Sequence, residues 1–207
     1  MYRLCHAVVA GPIDSNVWEM CYTNYLVLIG QASKSCPDPF SRLSTDASVD
    51  FGDPVDFDLR SHLTLEMWVH PKALPEVREI GVMGKGFNSY LLSFTGHVWF
   101  YIDGGSNHCG AEHGLEQWYH VVAVYDRQNM NFYLDGKFVD QRPMVHPVAQ
   151  GGNFFFRPPL PSDGEIEKPW SFMLDDVRIY SRALSAMEVA RHFEDDAAGK
   201  EQTTMRE

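Results

Sequence analysis

From about Ser41 onward, apolar and polar residues alternate over short runs separated by turn signals. This is the pattern of half-buried strands. Leu63, Leu65, Met67 and Val69 fall on one face of such a strand, and Thr64, Glu66, Trp68 and His70 on the other, with Pro71 ending the run. Residues 91–94 and 98–102 flank Thr95-Gly96 and predict a hairpin. In its second strand, Val98, Phe100 and Ile102 oppose Trp99 and Tyr101. Val122 and Val124 share a face of the next strand, and Phe132 and Leu134 share a face of the one after. Asp135-Gly136 then carries a type I′ turn signal, since glycine tolerates the positive φ required. Phe154–Phe156 is a short apolar run.

Near the C-terminus, Val177 and Ile179 alternate with Asp176, Arg178 and Tyr180. By the same period Asp175 falls on the Val177 face and points toward apolar neighbours. A carboxylate there needs a cation, a donor or the open rim of the sheet. Ser185 and Glu188 have capping-box spacing, and Leu184 and Val189 occupy the positions of a hydrophobic staple. A short helix is predicted over 185–194.

These elements predict an all-β fold, a sandwich of two antiparallel sheets with a short C-terminal helix. Residues 1–40 show no sustained period, and Cys36-Pro37-Asp38-Pro39 is a breaker at a plausible boundary. The expected organisation is an N-terminal extension over 1–40, one domain over 41–196, and a polar tail over 197–207. Residues 158–169 hold four prolines and three acids and read as a long loop.

Three stretches in order resemble a known family. They are Leu63-Thr64-Leu65-Glu66-Met67-Trp68-Val69-His70-Pro71; then Trp118 to Asp126 with Phe132-Tyr133-Leu134-Asp135-Gly136-Lys137; then Leu174-Asp175-Asp176-Val177-Arg178-Ile179-Tyr180 leading to Glu188. Together they resemble laminin G-like jelly rolls of the concanavalin A-like lectin and glucanase superfold, over roughly residues 41–193. The resemblance implies a jelly-roll sandwich and an extracellular or cell-surface setting. It leaves function open, because this superfold hosts lectins, adhesion modules and enzymes.

The resemblance also implies a structural calcium that links the start of the domain to the final strand. Asp175 is the expected ligand on that strand. The early segment Val49-Asp50-Phe51-Gly52-Asp53-Pro54 resembles the family's Phe-Asp-Gly turn, but glycine follows Phe51 directly. That departure moves the carboxylates to Asp50 and Asp53. Calcium takes several oxygen ligands at flexible geometry, which either acid would suit. The alternative is that these acids cap turns or pair with Arg178 or Arg182.

A formal net charge of −11 argues against nucleic acid and anionic membrane surfaces, both of which reward basic patches. No apolar run approaches the ~20 residues of a membrane span, so no membrane insertion is expected. The N-terminus reads as a poor signal peptide, since His6 interrupts its apolar run and Asp14 and Glu19 follow. Cysteines stand at 5, 21, 36 and 109 with no CxxC, leaving free thiols and disulfides both open.

Asp163, Glu165 and Glu167 alternate, and paired carboxylates serve glycoside hydrolysis. Their Pro- and Gly-rich setting instead favours a solvated loop. His108, Cys109 and His113, beside His97 and His120, form a weak soft-metal pattern on a Gly-rich stretch. Trp68 and Trp118 read as structural, and Trp170 sits in the long loop. Trp99 and Tyr101 share the face opposite an apolar row, where exposed rings stack on sugars, and Asn88, Asp103 and Asn107 adjoin them as hydrogen-bonding groups. The expected function is non-catalytic recognition of a glycan, or of an extracellular protein. The alternatives are a glycoside hydrolase or polysaccharide lyase of the same superfold, and a structural accessory domain.

Overall fold

The computed structural model describes residues 5–10, 17–23, 41–44, 49–73, 80–86, 88–156 and 171–204. Four early strands are β1 (Cys5–Ala10), β2 (Val17–Thr23), β3 (Ser41–Ser44) and β4 (Val49–Asp50). A 3-10 turn over Val55–Phe57 leads to β5 (Leu63–Ala73), β6 (Ile80–Lys85) and β7 (Tyr90–Phe94). Then follow β8 (His97–Ile102), β9 (Asn107–Glu112), β10 (Tyr119–Tyr125), β11 (Asn129–Leu134) and β12 (Lys137–Pro143). The chain closes with β13 (Phe154–Phe156), β14 (Ser171–Tyr180) and the helix α1 (Ala186–Thr204).

Among the described residues the strands form two antiparallel sheets. The larger runs β1-β2-β14-β5-β10-β11-β12, with β3 also paired to β14. The smaller runs β4-β13-β6-β7-β8-β9. The first two strands therefore extend the larger sheet through the β2–β14 pairing. Side chains that alternate inward from both sheets make one core, as expected of a sandwich. Leu63, Leu65, Met67 and Val69 meet Val98, Phe100, Ile102, Phe154 and Phe156 there. The hairpin at Asp135-Gly136 has φ of 50° and 72° at its two central residues, the type I′ signature.

The final strand departs from simple alternation. Asp175 pairs with Trp68 and Arg178 with Glu66, so three steps on β14 match two on β5. This is a β-bulge, and Asp176 takes the left-handed conformation at φ 47°. Aspartate tolerates that region better than most residues. The bulge reverses the parity. Leu174 and Val177 both face the core, while Asp175 shares the outer face with its partner Trp68. The sequence period, which puts Asp175 beside Val177, fails at this one inserted residue.

Beyond β14 the chain drops onto the outer face of the larger sheet. Thr64 is buried and anchors the descent, donating to the Arg182 carbonyl at 2.8 Å and accepting from the Leu184 amide at 3.1 Å. The capping box forms as its spacing predicts. Ser185 Oγ accepts from the Glu188 amide at 3.3 Å, and Glu188 Oε2 accepts from the Ser185 amide at 2.8 Å. Leu184 and Val189 are buried together with Val122, Val124, Tyr133 and Tyr180. The helix runs on to Thr204, through residues that read as a polar tail.

Candidate functional site

The outer face of the smaller sheet carries the aromatic row. Along β8 burial alternates strictly. Val98, Phe100 and Ile102 are buried, and His97, Trp99 and Tyr101 are half-exposed. His97 lies parallel to Trp99, with ring centroids 4.9 Å apart and an interplanar angle of 8°. Trp99 and Tyr101 stand 6.4 Å apart at 41°. From β9, the exposed His108 meets Trp99 edge-on at 5.4 Å and Tyr101 at 5.5 Å. Four rings thus form one patch on two paired strands, 97–102 and 107–112.

Glycine makes room for the indole. Gly110 pairs with Trp99, and a Cβ there would stand 2.2 Å from the Val98 carbonyl oxygen and 2.9 Å from Trp99 Cε3. Only a residue without a side chain lets the indole lie over β9 in this way. Gly105 is needed for a different reason, its φ of 87°, since a Cβ there would only touch the Tyr101 ring at 3.7 Å. The outer edge of β9 is held by Asp140 of β12, whose Oδ2 accepts from the Gly110 amide at 3.0 Å. The platform therefore sits on paired strands and not on a loop.

The polar residues predicted to help are distributed unevenly. Asn88 is exposed in the turn before β7, and Asp103 lies in the turn after β8. The Asp103 amide donates to the Ser89 carbonyl at 3.1 Å, which ties these turns together at one end of the row. The Asp103 carboxylate is engaged elsewhere, 3.1 Å from His146 Nδ1 and accepting from the Ala149 amide at 3.4 Å. Asn107 pairs with the buried Ile102, which places it on the inner face, opposite Trp99. His97 and His108, grouped in the sequence with a metal pattern, are the side chains that touch the rings. Their signal is period two along β8 together with the cross-strand register of the Gly-rich hairpin.

The soft-metal pattern itself comes apart. Cys109 faces the core with its thiol pushed up to about 12 by burial, while His108 points outward. His113 packs on Phe94 and Tyr119. Among the described residues no group of three or more His, Cys, Asp or Glu is placed to hold a metal ion. Asp163, Glu165, Glu167 and Trp170 lie outside the described residues, as do the side chains of Asp50, Cys5, Cys21 and Cys36.

The fit to calcium can be tested at the early turn. Asp53 Oδ1 lies 2.8 Å from Lys85 Nζ, and Asp58 Oδ1 lies 2.9 Å from it. The same ammonium donates to the Pro54 carbonyl at 2.7 Å. Its hydrogen bond holds the Asp58 carboxyl below the ordinary range. Asp53 is thus already paired with a cation of the chain's own, and its carboxylate does not fit a calcium ion as well. Across the molecule, Asp175 Oδ1 accepts from the Asp176 amide at 2.9 Å, which closes the bulge on itself.

The outer face of the larger sheet holds a second polar cluster. Glu66 is fully buried. Its carboxylate lies 2.9 Å from His120 Nε2 and 3.1 Å from His192 Nδ1, and accepts from Tyr180 Oη at 2.7 Å and from Arg178 at 3.3 Å. Arg178 also donates to Asp196 at 2.8 Å. Burial alone would raise the Glu66 pKa, but the two imidazoles and Arg178 outweigh it and hold the carboxyl far below its usual value. The hydrogen bond to Glu66 raises His192 in turn. Phe193 stacks over Trp68 at 5.6 Å and 18°, and a Cβ on Gly136 would stand 2.9 Å from Phe193 Cβ. This cluster seats α1 on the sheet and leaves the Glu66 carboxylate sealed from solvent.

A family model described as the concanavalin A-like lectin/glucanases superfamily matches residues 43–190. The chain belongs to this superfamily. Comparison with curated proteins gives no match. Solved structures with the same fold include botulinum neurotoxin type C, described through its interaction with two ganglioside molecules (TM-score 0.62, 12% identity, 75% of this chain and 42% of that one). The binding domain of botulinum neurotoxin DC appears with rat synaptotagmin II (TM-score 0.61, 13% identity, 80% and 44%) and with SialylT (0.62, 12%, 80% and 44%). The superfamily member therefore spans less than half the length of these structural neighbours. At such identity the likeness establishes the jelly-roll fold.

Proposed function

We propose that this protein is a recognition module that holds a glycan against the Trp99–Tyr101 row. The observation that carries the reading is the patch itself: four half-exposed or exposed rings, including an indole packed closely over Gly110, on the outer face of a paired sheet. Aromatic rings with polar edges serve both needs of a sugar, whose C–H face stacks and whose hydroxyls hydrogen-bond. His97 and His108 supply ring nitrogens at the rim, and Asn88 an amide at one end. The structural neighbours are described with ganglioside and sialyl ligands, and this supports including such glycans among those tested. The setting that suits this role is extracellular or cell-surface.

Recognition without turnover is the preferred reading. The Glu66 carboxylate, which has neighbours suited to acid–base work, is sealed beneath α1. The test is a glycan array probed with the wild type and with the Trp99→Ala/Tyr101→Ala double variant. Signals for a defined glycan set that vanish in the variant are expected. A wild type that binds no glycan, or that releases reducing ends or unsaturated products from those it binds, contradicts the proposal.

A further inference from the structure

Lys85 is the buried charge that the sequence pattern does not foresee. It closes β6 between Gly84 and Gly86, and its ammonium is completely buried. Such a group is tolerated when its charge and all three donors are matched. Here the match is complete: the Asp53 carboxylate at 2.8 Å, the Asp58 carboxylate at 2.9 Å and the Pro54 carbonyl at 2.7 Å. Two carboxylates and a backbone carbonyl converging on one point are the oxygen donors a calcium ion takes from a turn. A positive centre is present at that point already, tethered to β6.

We propose that Lys85 is the cation of this edge and takes up the early-turn carboxylates that the family resemblance would offer to a divalent ion, so that the turn over 53–58 is ordered without calcium. The consequence reaches the candidate site. Asp58 Oδ1 also accepts from the Gly151 amide at 3.2 Å. Ser89 Oγ donates to the Ala149 carbonyl at 2.7 Å, and the Ala149 amide donates to Asp103. Lys85 therefore anchors, through Asp58, the 146–151 segment that meets the end of the aromatic row. The turn beside that row is held by the chain's own side chains and is not gated by free calcium.

The experiment is thermal melting of the wild type, Lys85→Met, Asp53→Asn and Asp58→Asn, each in calcium and in chelator. The wild-type midpoint is expected to be the same in both solutions. Lys85→Met is expected to melt about 10 °C lower, because two carboxylates lose their shared cation. A Lys85→Met chain that does not fold at all likewise supports the need for a cation at this edge. The calcium comparison in the wild type and the two aspartate variants then carries the test. A calcium-dependent rise in the wild-type midpoint that Asp53→Asn or Asp58→Asn removes would overturn the proposal. So would a Lys85→Met midpoint equal to that of the wild type.

Discussion

On the outer face of the larger sheet, Glu66, His120 and Thr64 are fully buried, and Val122, Val124 and Tyr180 pack against Leu184 and Val189. On the outer face of the smaller sheet, His97, Trp99, Tyr101 and His108 remain in contact with solvent. Both faces belong to strands of the same sandwich and show the same period of two. What separates them is the helix. The capping box at Ser185 and the anchor at Thr64 direct α1 across β14, β5 and β10, which turns a nominally polar face into a second interior. The smaller sheet has no such cover over β8 and β9 among the described residues. Its rings are then surface apolar groups on a rigid support, the condition under which aromatics act as recognition anchors. Buried polar chemistry here secures the fold, while the aromatic row stays exposed, as the proposed binding role requires.

The contrast between the two faces breaks most sharply at Glu66. Glu66→Ala leaves His192, His120 and Arg178 around an empty seat, and an expected loss of about 3–5 kcal/mol follows from removing one partner of a buried charged cluster. Urea denaturation measures it. A loss below about 1 kcal/mol would mean that the cluster does not hold α1.

Ser185→Ala removes the side-chain acceptor for the Glu188 amide and should cost about 0.5–2 kcal/mol in the same assay. Glu188→Gln is the companion variant, since Glu188 bonds back to Ser185 and pairs with Arg182 at 2.8 Å. An unchanged midpoint in both would show that the helix start contributes nothing to global unfolding.

The smallest effect is the pH dependence. Glu66 has a folded pKa below its ordinary 4.5, so its contribution is complete above pH 4.5 and is lost as pH falls toward the folded value. His192 has a folded pKa above its ordinary 6.5, so its contribution is complete below pH 6.5 and is lost as pH rises through the raised value. Both are present in full between 4.5 and 6.5. Replacing His192 by Gln should flatten the alkaline limb, by less than about 1 kcal/mol, because the ring is partly solvated. A pH–stability profile of the two proteins checks the sign. An alkaline limb unchanged by the replacement would remove His192 from the Glu66 cluster.

Parts of this arrangement are legible in the sequence, and others are hidden for identifiable reasons. Period two along 97–102 places Trp99 and Tyr101 on one outward face, because β8 is regular and pairs without interruption on both sides. The Ser185–Glu188 spacing and the Asp135-Gly136 turn are local chemistry, and local chemistry survives into the fold. Parity misplaces Asp175 because the bulge uses Asp176 at positive φ, where a glycine would have announced it. Glu66 reads as an outward polar residue, since its burial depends on where a helix more than a hundred residues later comes to rest. Lys85 carries no signal of its own, since its partners Asp53 and Asp58 stand about thirty residues earlier and meet it only in the folded chain. Proximity in sequence groups Asn107 with Trp99, whereas the hairpin register puts it opposite.

The aromatic row as a binding surface is tested most directly by calorimetric titration of Trp99→Ala and Tyr101→Ala against an array-selected glycan. Each variant is expected to lose about 1–3 kcal/mol of binding free energy, the usual scale for an aromatic anchor, with a melting midpoint close to that of the wild type. Affinity unchanged in both variants, with the fold intact, would contradict it.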